Sequence, residues 1–424
     1  MSRCSTPSRN GSLDRVRISV LTQLFPPETQ AGANRLAALV DSFSAECDVT
    51  VVTLHPSYPT PDFFFEHGWK AKEDDGEQYQ VCRVRSFRPH KGSFIIRGIR
   101  ELIMSLHVGW HARTHDTDLV IATSPSFMFG PSGFLLALWK RVPFIWDIRD
   151  VTWRYIAQDG VNGRFRRVFG LMMRGLAGII GRRAALVVGS NSGIVAEMES
   201  LGVRKNRLRL MPNGPSTKLL KACEALEPSR ERPGLRVTYA GALGYYQGLE
   251  TLIDVAALMP DVEFVLAGEG PERSTLEARA SEKGATNVLF LGYLDRESVL
   301  QVYADSDLLY AGLRDLPALR NYTFPSKLFE YMAAGKPIVF VGGGITGEFL
   351  RSNAVAVVVE RHDASQLRRE LTALLQDSSH QESLVHAGRA IANRHRREDV
   401  MNALVEETRR LLTAGVAETS TMAD

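Results

Sequence analysis

The chain has 424 residues, of which 44% are apolar and 23% are charged, and its formal net charge is +3. This length provides two or three domains with complete cores, and the composition is that of an ordinary soluble globular protein. The nearly balanced charge, without a dense Lys/Arg block, gives no indication of nucleic-acid binding. The four cysteines form no CxxC pair, which indicates reduced thiols in a cytoplasmic protein and neither a disulfide framework nor a zinc site.

The start of the chain, residues 1–14, is polar and contains no apolar run, so we expect a disordered leader without a signal peptide. From residue 15, short β-branched segments alternate with longer amphipathic ones, which is the pattern of parallel sheets covered by helices. In the first half this pattern predicts seven strands, at Val16–Thr22, Val49–Thr53, Val81–Arg85, Leu119–Thr123, Phe144–Asp147, Ala185–Val188 and Leu208–Met211.

A segment rich in proline and glycine, residues 213–234, predicts a linker between a first domain (15–212) and a second domain (235–395). A C-terminal helix over 396–413 is expected to pack back toward the first domain and to be followed by a flexible tail, 414–424. The second domain repeats the α/β pattern. Its six predicted strands are Leu235–Ala240, Glu263–Ala267, Val288–Leu291, Leu308–Tyr310, Pro337–Val341 and Ala354–Val359.

The most informative segment is FPSKLFEYMAAGKPIVFV, residues 324–341. Ser326 offers a hydroxyl to cap the start of a helix and is also a candidate donor-binding residue, and Gly335 ends that helix. Lys327 and Glu330 are three residues apart, so they are neighbours on the helix surface. A lysine in the first turn opposes the helix dipole unless an anion is bound there. The spacing therefore predicts a phosphate site at Lys327, with the Glu330 carboxylate placed to accept hydrogen bonds from paired sugar hydroxyls.

Two doubly wound α/β domains that face each other place the carboxyl ends of both sheets around one cleft, where open α/β sheets bind their ligands. We therefore expect the function to reside in that cleft. The predicted fold class is α/β, with two Rossmann-like domains around a central cleft.

The second half contains four characteristic segments, YAGALGYYQGLETLIDVAA (239–257), FVLAGEGPERSTLE (264–277), VLFLGYL (288–294) and FPSKLFEYMAAGKPIV (324–339). In these segments it resembles the donor domain of the family 4 retaining glycosyltransferases of the GT-B fold. The first half is similar to that family in ISVLTQLFPPETQAGANR (18–35), DIRDVTW (147–153) and MPNG (211–214).

Within the family, the chain looks most like the bacterial branch, similar to the fucosamine transferases, that adds sugars to surface polysaccharides such as O-antigen and capsule. The resemblance covers about residues 15 to 410. It implies transfer of a sugar, with retention of configuration, from a nucleotide-sugar donor to a glycan or lipid-linked acceptor. UDP is the nucleotide that the family favours.

The resemblance also implies donor-binding residues in the second half. Glu330 matches a glutamate that binds the nucleotide ribose. A second glutamate of the family contacts the transferred sugar, and this chain has Tyr322 at its position. Backbone groups near Gly292 and Tyr293 are implied to read the base, and Gly270 ends the preceding strand in a tight turn. For any one glycine, a plain turn is the alternative interpretation.

The family's usual pyrophosphate-binding pair of cationic or polar side chains falls on Ala242 and Gln247, so both cations are absent. Lys327 then becomes the main candidate to neutralise the leaving pyrophosphate. Arg314 and Arg320, from the preceding loop, are candidate helpers.

Retaining transfer needs the developing charge at the anomeric carbon stabilised and the departing pyrophosphate held, which preorganised charges supply without a protein nucleophile. The family implies attack by the acceptor hydroxyl from the face that the diphosphate leaves, with neither a metal nor a separate cofactor. Asp150 is the candidate catalytic group of the first domain, and its alternatives are a helix cap or an ion pair with Arg149. Gly32 opens the first helix, whose N-terminus is expected to approach the donor phosphates or the acceptor. An ordinary helix start is the alternative there.

Three further patterns suggest a metal but are interpreted otherwise. Asp305–Asp307 and Asp116–Asp118 resemble the DxD metal motif, but each precedes a predicted strand and is interpreted as a turn. His107, His111 and His115 have helical spacing that suits metal binding. They lack the glutamate of an HExxH motif, so a solvated helix face is predicted instead.

Residues 164–183 combine apolar residues at helical spacing with six arginines and no acidic residue. A basic amphipathic helix can lie on an anionic bilayer, so we predict peripheral contact with the inner face of the cytoplasmic membrane. Lys91, Arg97 and Arg100 are expected to extend the same face. A core helix with a solvated polar side is the alternative. No segment reaches the roughly 18 uninterrupted apolar residues of a spanning helix.

Two other functions stay open from the sequence. A sugar-nucleotide epimerase of the same fold would keep the nucleotide site but would need acid and base groups in the cleft. A non-catalytic, two-lobed sugar-binding protein like those of the periplasm is the other, and the polar N-terminus and the lack of paired cysteines argue against it.

Overall fold

The computed structural model describes residues 15–28, 31–56, 78–85, 94–124, 126–156, 163–228 and 234–421. Several sequence predictions lie outside these described parts. They are the leader (1–14), Lys91, the side chain of Arg97, part of the linker (229–233) and the side chains of the tail from residue 414.

The first domain is built on a parallel sheet of seven strands, and all seven were predicted to within two residues at each end. The strands are β1 (Arg17–Leu21), β2 (Asp48–Leu54), β3 (Tyr79–Val84), β4 (Leu119–Thr123), β5 (Phe144–Ile148), β6 (Leu186–Gly189) and β7 (Leu208–Leu210). Their order is β3-β2-β1-β4-β5-β6-β7. Most of these strands are nearly continuous apolar runs because helices cover both faces of the sheet.

Helices of the first domain form two layers. They are α1 (Ala31–Ser44), α2 (Phe94–Ala112), α3 (Phe129–Lys140), α4 (Thr152–Ile156), α5 (Gly163–Arg183) and α6 (Ser192–Ser200), followed by a 3-10 turn at Lys205–Arg207. The apolar side of α1 packs on one face of the sheet. The buried sides of α2, α3, α5 and α6 share a single core on the opposite face.

The second domain contains a parallel sheet of six strands, in the order β10-β9-β8-β11-β12-β13. These are β8 (Leu235–Ala240), β9 (Val262–Ala267), β10 (Val288–Gly292), β11 (Leu308–Gly312), β12 (Ile338–Val341) and β13 (Val357–Val359). All six strands were predicted, but β13 begins three residues later than expected. The reason is that Ala354 has a φ of 50° and belongs to the turn that ends the preceding helix.

The remaining helices begin inside the predicted linker and run to the end of the described chain. They are α7 (Thr217–Glu224), α8 (Glu250–Ala257), α9 (Arg273–Lys283), α10 (Arg296–Ala304), α11 (Pro317–Tyr322), α12 (Lys327–Ala334), α13 (Gly344–Ser352), α14 (Ala364–Gln376), α15 (Ser378–Arg394) and α16 (Arg397–Thr421). A 3-10 turn at Tyr245–Gln247 precedes α8. The linker thus contains a helix, because Leu219, Leu220 and Cys223 are spaced to bury one side of α7 against the second domain.

The last helix returns to the first domain. Met401, Leu404 and Val405 of α16 belong to the core that α1 covers, and Arg409 pairs with Glu46 near the end of α1. Among the described residues, no helix is both long and apolar enough to cross a membrane.

The strand order reverses between β1 and β4 in the first sheet and between β8 and β11 in the second. Ligands of doubly wound proteins bind outside the carboxyl ends of the strands at such switch points. Segments that follow strands of both sheets also touch each other. Asn191, after β6, donates a 2.9 Å hydrogen bond to the carbonyl oxygen of Tyr322, and Tyr155 shares a 2.7 Å hydrogen bond with Thr323.

Candidate active site

The start of α12 is joined to the end of β8 by hydrogen bonds from polar side chains. Nζ of Lys327 donates to the hydroxyl of Tyr239 over 2.7 Å, and that hydroxyl donates to the carbonyl oxygen of Ala242 over 2.6 Å. The hydroxyl of Tyr331 accepts from the backbone N–H of Ala240 over 2.9 Å. The Lys327 ammonium group lies 3.9 Å from the centre of the Tyr239 ring. Lys327 is therefore fixed at the carboxyl end of β8, beside the switch point of the second sheet.

Two glycines make room for this arrangement. Gly241 has a φ of +138°, and a Cβ added to it would lie 2.5 Å from Nζ of Lys327. Gly268, after β9, has a φ of +145°, and its Cβ would lie 2.0 Å from the carbonyl oxygen of Gly241. Because L side chains rarely adopt such φ values and no space exists for them here, both positions require glycine.

The amine of Lys327 lacks a close anionic partner. No carboxylate of the described residues lies within 4.0 Å of it, although Glu330 is near enough to favour the charged form. Burial lowers the pKa of Lys327 to about 7, because the ammonium group is surrounded by protein even though part of the side chain meets solvent. A bound anion would offset this cost and hold the amine in its charged form.

Glu330, one turn further along α12, has an exchangeable partner. Nη1 of Arg296 donates to its Oε1 over 3.2 Å, and the side chains of Arg296 and Glu330 are 53% and 25% exposed. Pairs this open to solvent contribute little stability. Glu330 can therefore exchange Arg296 for sugar hydroxyls at small cost.

Ser326 does not cap α12, so that prediction was wrong. Its backbone is already helical, with φ −60° and ψ −28°, and its side chain makes no capping hydrogen bond. The first turn is closed instead by backbone bonds, from the N–H of Leu328 to Pro325 and from the N–H of Phe329 to Ser326.

The two arginines predicted to help Lys327 are already bound to other groups. Arg314 pairs with Glu250 and donates to the carbonyl oxygen of Tyr245 over 2.5 Å. Arg320 donates to Asp315 over 3.0 Å. Each guanidinium charge therefore already has a carboxylate partner, and the structure does not join either residue to Lys327.

Three arginines meet instead at the loop of residues 212–215, which contains most of the MPNG motif. Arg35 donates to a backbone carbonyl of this loop and to Oδ1 of Asn213, each over 3.1 Å. Arg149 donates to the same Oδ1 over 3.3 Å. Arg397, the first residue of α16, donates to another loop carbonyl over 3.2 Å. The loop thus joins two arginines of the first domain, Arg35 of α1 and Arg149 after β5, to the start of the returning helix.

Two of these arginines lack a close counter-ion. Arg35 lies 3.5 Å from Asp147, but in the part of the chain that the structure describes, no carboxylate is within 4.0 Å of the guanidinium group of Arg149 or Arg397. Burial, reinforced by Arg35, lowers the pKa of Arg149 to about 10. Burial also lowers the pKa of Arg397, which Glu330 opposes and Arg35 reinforces.

Arg397 therefore lies within electrostatic range of both Glu330 in the second domain and Arg35 in the first. Sequence reasoning missed it, because the returning helix was not connected with the cleft. We call Arg35, Arg149 and Arg397 the junction arginines.

Asp150 follows β5 and is exposed. The surrounding protein nevertheless desolvates its carboxylate, which raises its pKa, and Arg149 opposes part of that rise. No described residue donates a hydrogen bond to this carboxylate or forms an ion pair with it within 4.0 Å. Asp150 is therefore neither a helix cap nor one half of a close ion pair in this structure, and it is available to a ligand.

Tyr322 faces the first domain. It ends α11, is half-buried, and its hydroxyl donates to Oε2 of Glu197 over 3.3 Å. The position at which the resemblance implies a sugar-contacting glutamate thus holds a side chain that is bonded to the first domain.

The remaining predicted donor residues lie in turns after neighbouring strands. Gly270 follows β9, and a Cβ there would lie 2.2 Å from the carbonyl oxygen of Leu243, so it lets the loops after β8 and β9 pack together. Gly292 ends β10 with a φ of +75°, and Tyr293 beside it is 64% exposed.

Gly32 lies in the first turn of α1. Its added Cβ would lie 3.4 Å from the side chain of Leu24, which is an ordinary contact. Unlike Gly241 and Gly268, this glycine is not required by the packing around it.

The patterns that suggested a metal have structural partners. Asp307 accepts a 2.7 Å hydrogen bond from the backbone at the start of β8, and Asp118 binds Arg17. His107 and His111 contact each other over 3.2 Å. Within the described ranges, no group of three or more His, Cys, Asp or Glu side chains has a metal-binding arrangement.

Fold and site together define a protein of the GT-B class, with two Rossmann-like parallel-sheet domains and polar groups gathered where they meet. Family models agree with this on both domains. The model of the glycosyl transferase 4-like domain matches residues 30–214, and that of the glycosyl transferases group 1 matches residues 228–391. Together they match most of the chain, which therefore belongs to the glycosyltransferases of the GT-B fold.

Curated relatives match parts of the chain. The D-rhamnosyltransferase WbpZ of Pseudomonas aeruginosa is 36% identical over 120 residues, which are 28% of this chain and 30% of WbpZ. The lipopolysaccharide core biosynthesis glycosyltransferase LpsE of Rhizobium meliloti is 23% identical over 227 residues, or 53% of this chain and 64% of LpsE. The chain thus spans less than two thirds of the length of these relatives.

Solved structures match over nearly the whole chain. HepE of Anabaena, in complex with UDP and glucose, superposes with a TM-score of 0.65 at 18% identity, covering 93% of this chain and 99% of HepE. At this identity the likeness shows the fold alone.

Proposed function

We propose that this protein is a retaining glycosyltransferase that moves a sugar from a UDP-sugar to a lipid-linked glycan during synthesis of a bacterial surface polysaccharide, such as O-antigen or capsule. The observation that carries the proposal is the amine of Lys327, which has no close anionic partner and stands next to Glu330 at the carboxyl end of β8. The name of the relative LpsE, a lipopolysaccharide core biosynthesis glycosyltransferase, supports the class of acceptor. The UDP bound to HepE supports the choice of nucleotide.

In this proposal Lys327 binds the diphosphate of the donor. The bound anion restores the full charge of the amine, so binding energy compensates for the cost of its burial. Glu330 exchanges Arg296 for the two hydroxyls of the ribose, a geometry that a carboxylate accepts with both oxygens.

Arg149 and Arg397 complete the positive charge from the opposite side of the junction. They replace the cations that Ala242 and Gln247 do not provide. Developing negative charge on the leaving diphosphate is then stabilised by preorganised protein cations, and we propose that no metal ion is required. Asp150 supplies the polar group of the first domain at the reacting sugar and accepts the proton of the attacking acceptor hydroxyl.

A lipid-linked acceptor requires the protein to work at a membrane surface. We propose that α5, the basic helix Gly163–Arg183, provides this peripheral contact at the inner face of the cytoplasmic membrane. The resemblance to the fucosamine-transferase branch, which adds sugars to surface polysaccharides, belongs to the same proposal.

Ligand binding is tested by thermal-shift measurements with UDP, GDP and their sugar conjugates. We expect UDP and a UDP-sugar to raise the melting temperature of the wild type, and Lys327→Ala and Glu330→Ala to lose most of that increase. Lys336→Ala and Glu348→Ala are matched controls. The amine of Lys336 is bonded to the carbonyl oxygen of Ala304, and Glu348 is exposed on α13. If no nucleotide stabilises the wild type, or the site variants respond as the controls do, the site is wrongly assigned.

Activity is tested with the stabilising nucleotide sugar and a lipid-linked glycan extract. We expect nucleoside diphosphate and a glycolipid product whose new linkage has the anomeric configuration of the donor, measured by NMR. An inverted linkage would exclude retention. Epimerised donor formed without acceptor would indicate an epimerase instead.

A further inference from the structure

Three helices of the first domain form one layer on the same face of its sheet. They are α2 (Phe94–Ala112), α3 (Phe129–Lys140) and α5 (Gly163–Arg183), and their buried sides belong to one core. α3 packs against both of the others. Near their crossing, the hydroxyl of Ser132 donates to the carbonyl oxygen of Ser105 over 2.6 Å. The outer sides of the three helices therefore face away from the sheet in the same direction.

That outer surface is apolar. Among the described residues, 22 large apolar side chains are exposed, and 15 of these belong to the three helices. Scattered exposed apolar residues are normal, but soluble monomers rarely expose contiguous apolar patches larger than a few hundred Å². Such a concentration of exposed apolar side chains on one layer indicates a surface that another molecule covers when the protein functions.

The exposed residues follow the periodicity of the helices. On α2, Ile99, Ile103, Leu106 and Trp110 recur at intervals of four, three and four residues and are 45% to 61% exposed. The opposite side of this helix supplies its buried core residues. Helix α2 thus has two apolar sides, one more than the sheet can cover.

Tryptophans with nearby cations occur where α2 and α3 end. Trp110 and Trp139 are each 61% exposed. The guanidinium carbon of Arg113 lies 3.4 Å from a Trp110 ring centre, and Nζ of Lys140 lies 5.2 Å from that of Trp139. Exposed tryptophan beside Lys or Arg is typical of the level of lipid headgroups in a bilayer.

The charge of these three helices favours an anionic bilayer over a second copy of the chain as the binding partner. The three helices contain nine Lys or Arg residues and one acidic residue, Glu101. Glu101 accepts a hydrogen bond from Ser126. A second copy of this surface would bring like charges together, whereas an anionic bilayer offers acyl chains to the apolar side chains and negative headgroups to the cations.

We propose that the outer surface of α2, α3 and α5 is a membrane-binding face that inserts its apolar side chains into the interface of an anionic bilayer. The proposal extends the membrane contact that was suggested for α5 alone. It adds two further helices and two tryptophan anchors to that contact. It rests on the proposed function in one respect, because a lipid-linked acceptor explains why the protein needs a membrane. The surface itself would bind lipid whatever reaction the cleft performs.

The test is co-sedimentation of the full chain with phosphatidylcholine vesicles that contain or lack phosphatidylglycerol. Trp110→Gln/Trp139→Gln removes the apolar anchors, and Arg164→Ala/Arg167→Ala removes two exposed cations of α5. The matched controls lie in the second domain. Leu258→Gln/Leu289→Gln replaces exposed apolar side chains there, and Arg368→Ala/Arg369→Ala replaces exposed arginines of α14.

We expect the wild type to bind the anionic vesicles and salt to weaken that binding. The arginine double variant should bind at least about tenfold more weakly, since each basic residue near the surface contributes about 1 kcal/mol. The tryptophan double variant should lose at least as much, since it removes two large apolar side chains from the interface, while the controls bind like the wild type. The thermal shift caused by UDP should be unchanged in all four variants, so that loss of membrane binding is distinguished from failure of the nucleotide site.

Three results would overturn the proposal. They are absence of wild-type binding to anionic vesicles, equal binding to neutral vesicles, and face variants that bind like the controls. A dimer in analytical ultracentrifugation that the tryptophan substitutions dissociate would show that a second copy covers this face instead.

Discussion

The hydroxyl of Tyr322 donates a hydrogen bond to the carboxylate of Glu197, although the two residues belong to different domains. The Glu197 side chain is 3% exposed and also accepts hydrogen bonds from Trp153, Arg154 and Arg174. A glutamate at position 322 would face this buried carboxylate with a like charge. Tyrosine is therefore compatible with Glu197 at a position where a second carboxylate is not.

Glu197→Gln is expected to lower the free energy of unfolding by about 2 to 3 kcal/mol, because it weakens charge-assisted hydrogen bonds from two arginines whose side chains are 36% and 31% exposed. Tyr322→Phe should cost only about 1 kcal/mol, the contribution of one ordinary hydrogen bond. Urea denaturation at neutral pH measures both. Equal effects of the two substitutions would show that Glu197 is not the centre of this contact.

The effect of Glu197→Gln on stability should depend on pH. Burial would raise the pKa of Glu197, but the hydrogen bonds from Arg154, Trp153 and Arg174 outweigh it and lower the pKa. The resulting stabilisation is complete above the unfolded pKa of about 4.3 and is lost as the pH falls below it. The difference in stability between the wild type and Glu197→Gln should therefore shrink on acidification.

Lys327→Met is expected to stabilise the free protein while it abolishes the thermal shift caused by UDP. Since burial lowers the pKa of Lys327 to about 7, the amine costs stability at every pH below its unfolded pKa of about 10.4, and fully so below pH 7. Removing it should add about 0.5 to 2 kcal/mol at neutral pH. Differential scanning fluorimetry with and without UDP measures both effects.

Lys336→Met is the matched control for this prediction, because Lys336 follows the same helix closely and its amine is bonded to a backbone carbonyl. Burial lowers the pKa of Lys336 as well, so the two substitutions are separated by their effect on UDP binding, and Lys336→Met should leave the UDP response intact. A Lys327→Met protein that is less stable than the wild type would show that the amine contributes to folding and not to ligand binding.

The sequence predicted the strands and Lys327 for local reasons. Apolar β-branched runs mark buried parallel strands wherever they occur, and a lysine in the first turn of a helix is unfavourable without reference to the rest of the fold. Arg397 could not be found in this way. It meets the loop of residues 212–215 from 183 positions further along the chain, and only the path of α16 brings it there.

The wrong prediction of a cap at Ser326 and the unexpected partner of Arg314 have physical reasons. Ser326 has the residue type of a cap but a helical backbone that prevents capping. Arg314 was expected to assist Lys327 because both lie in the same part of the sequence, but Glu250 of α8 is its partner in the structure.

Arg397→Gln is expected to weaken UDP binding about tenfold or more, because a charge-assisted hydrogen bond contributes about 1.5 to 3 kcal/mol. Arg396→Gln is the matched control. Its guanidinium group pairs with Asp399 on the exposed side of the chain, so it should bind UDP like the wild type. Isothermal titration calorimetry gives both affinities, and identical values would remove Arg397 from the site.

Asp150→Asn is expected to lower kcat by about a hundredfold or more, the usual effect of losing a group that accepts a proton in the transition state. The affinity for UDP should stay within about twofold, since Arg149 and Lys327 are unaffected. Asp261→Asn, at an exposed turn of the second domain, is the control. Steady-state rates at saturating donor check this, and an equal loss of UDP affinity would make Asp150 a donor-binding residue instead.

Gly241→Ala tests whether Lys327 is held in place by the loop after β8. The new methyl group would lie 2.5 Å from Nζ at a φ of +138°, so both the backbone and the lysine must move. We expect a loss of about 1 to 3 kcal/mol in stability together with a weaker UDP response. Gly244→Ala, three residues later, has a φ of −116° and no atom within 4 Å of its Cβ, so it should leave both unchanged. If Gly241→Ala destabilises the protein while UDP still binds with wild-type affinity, the position of the lysine amine does not control donor binding.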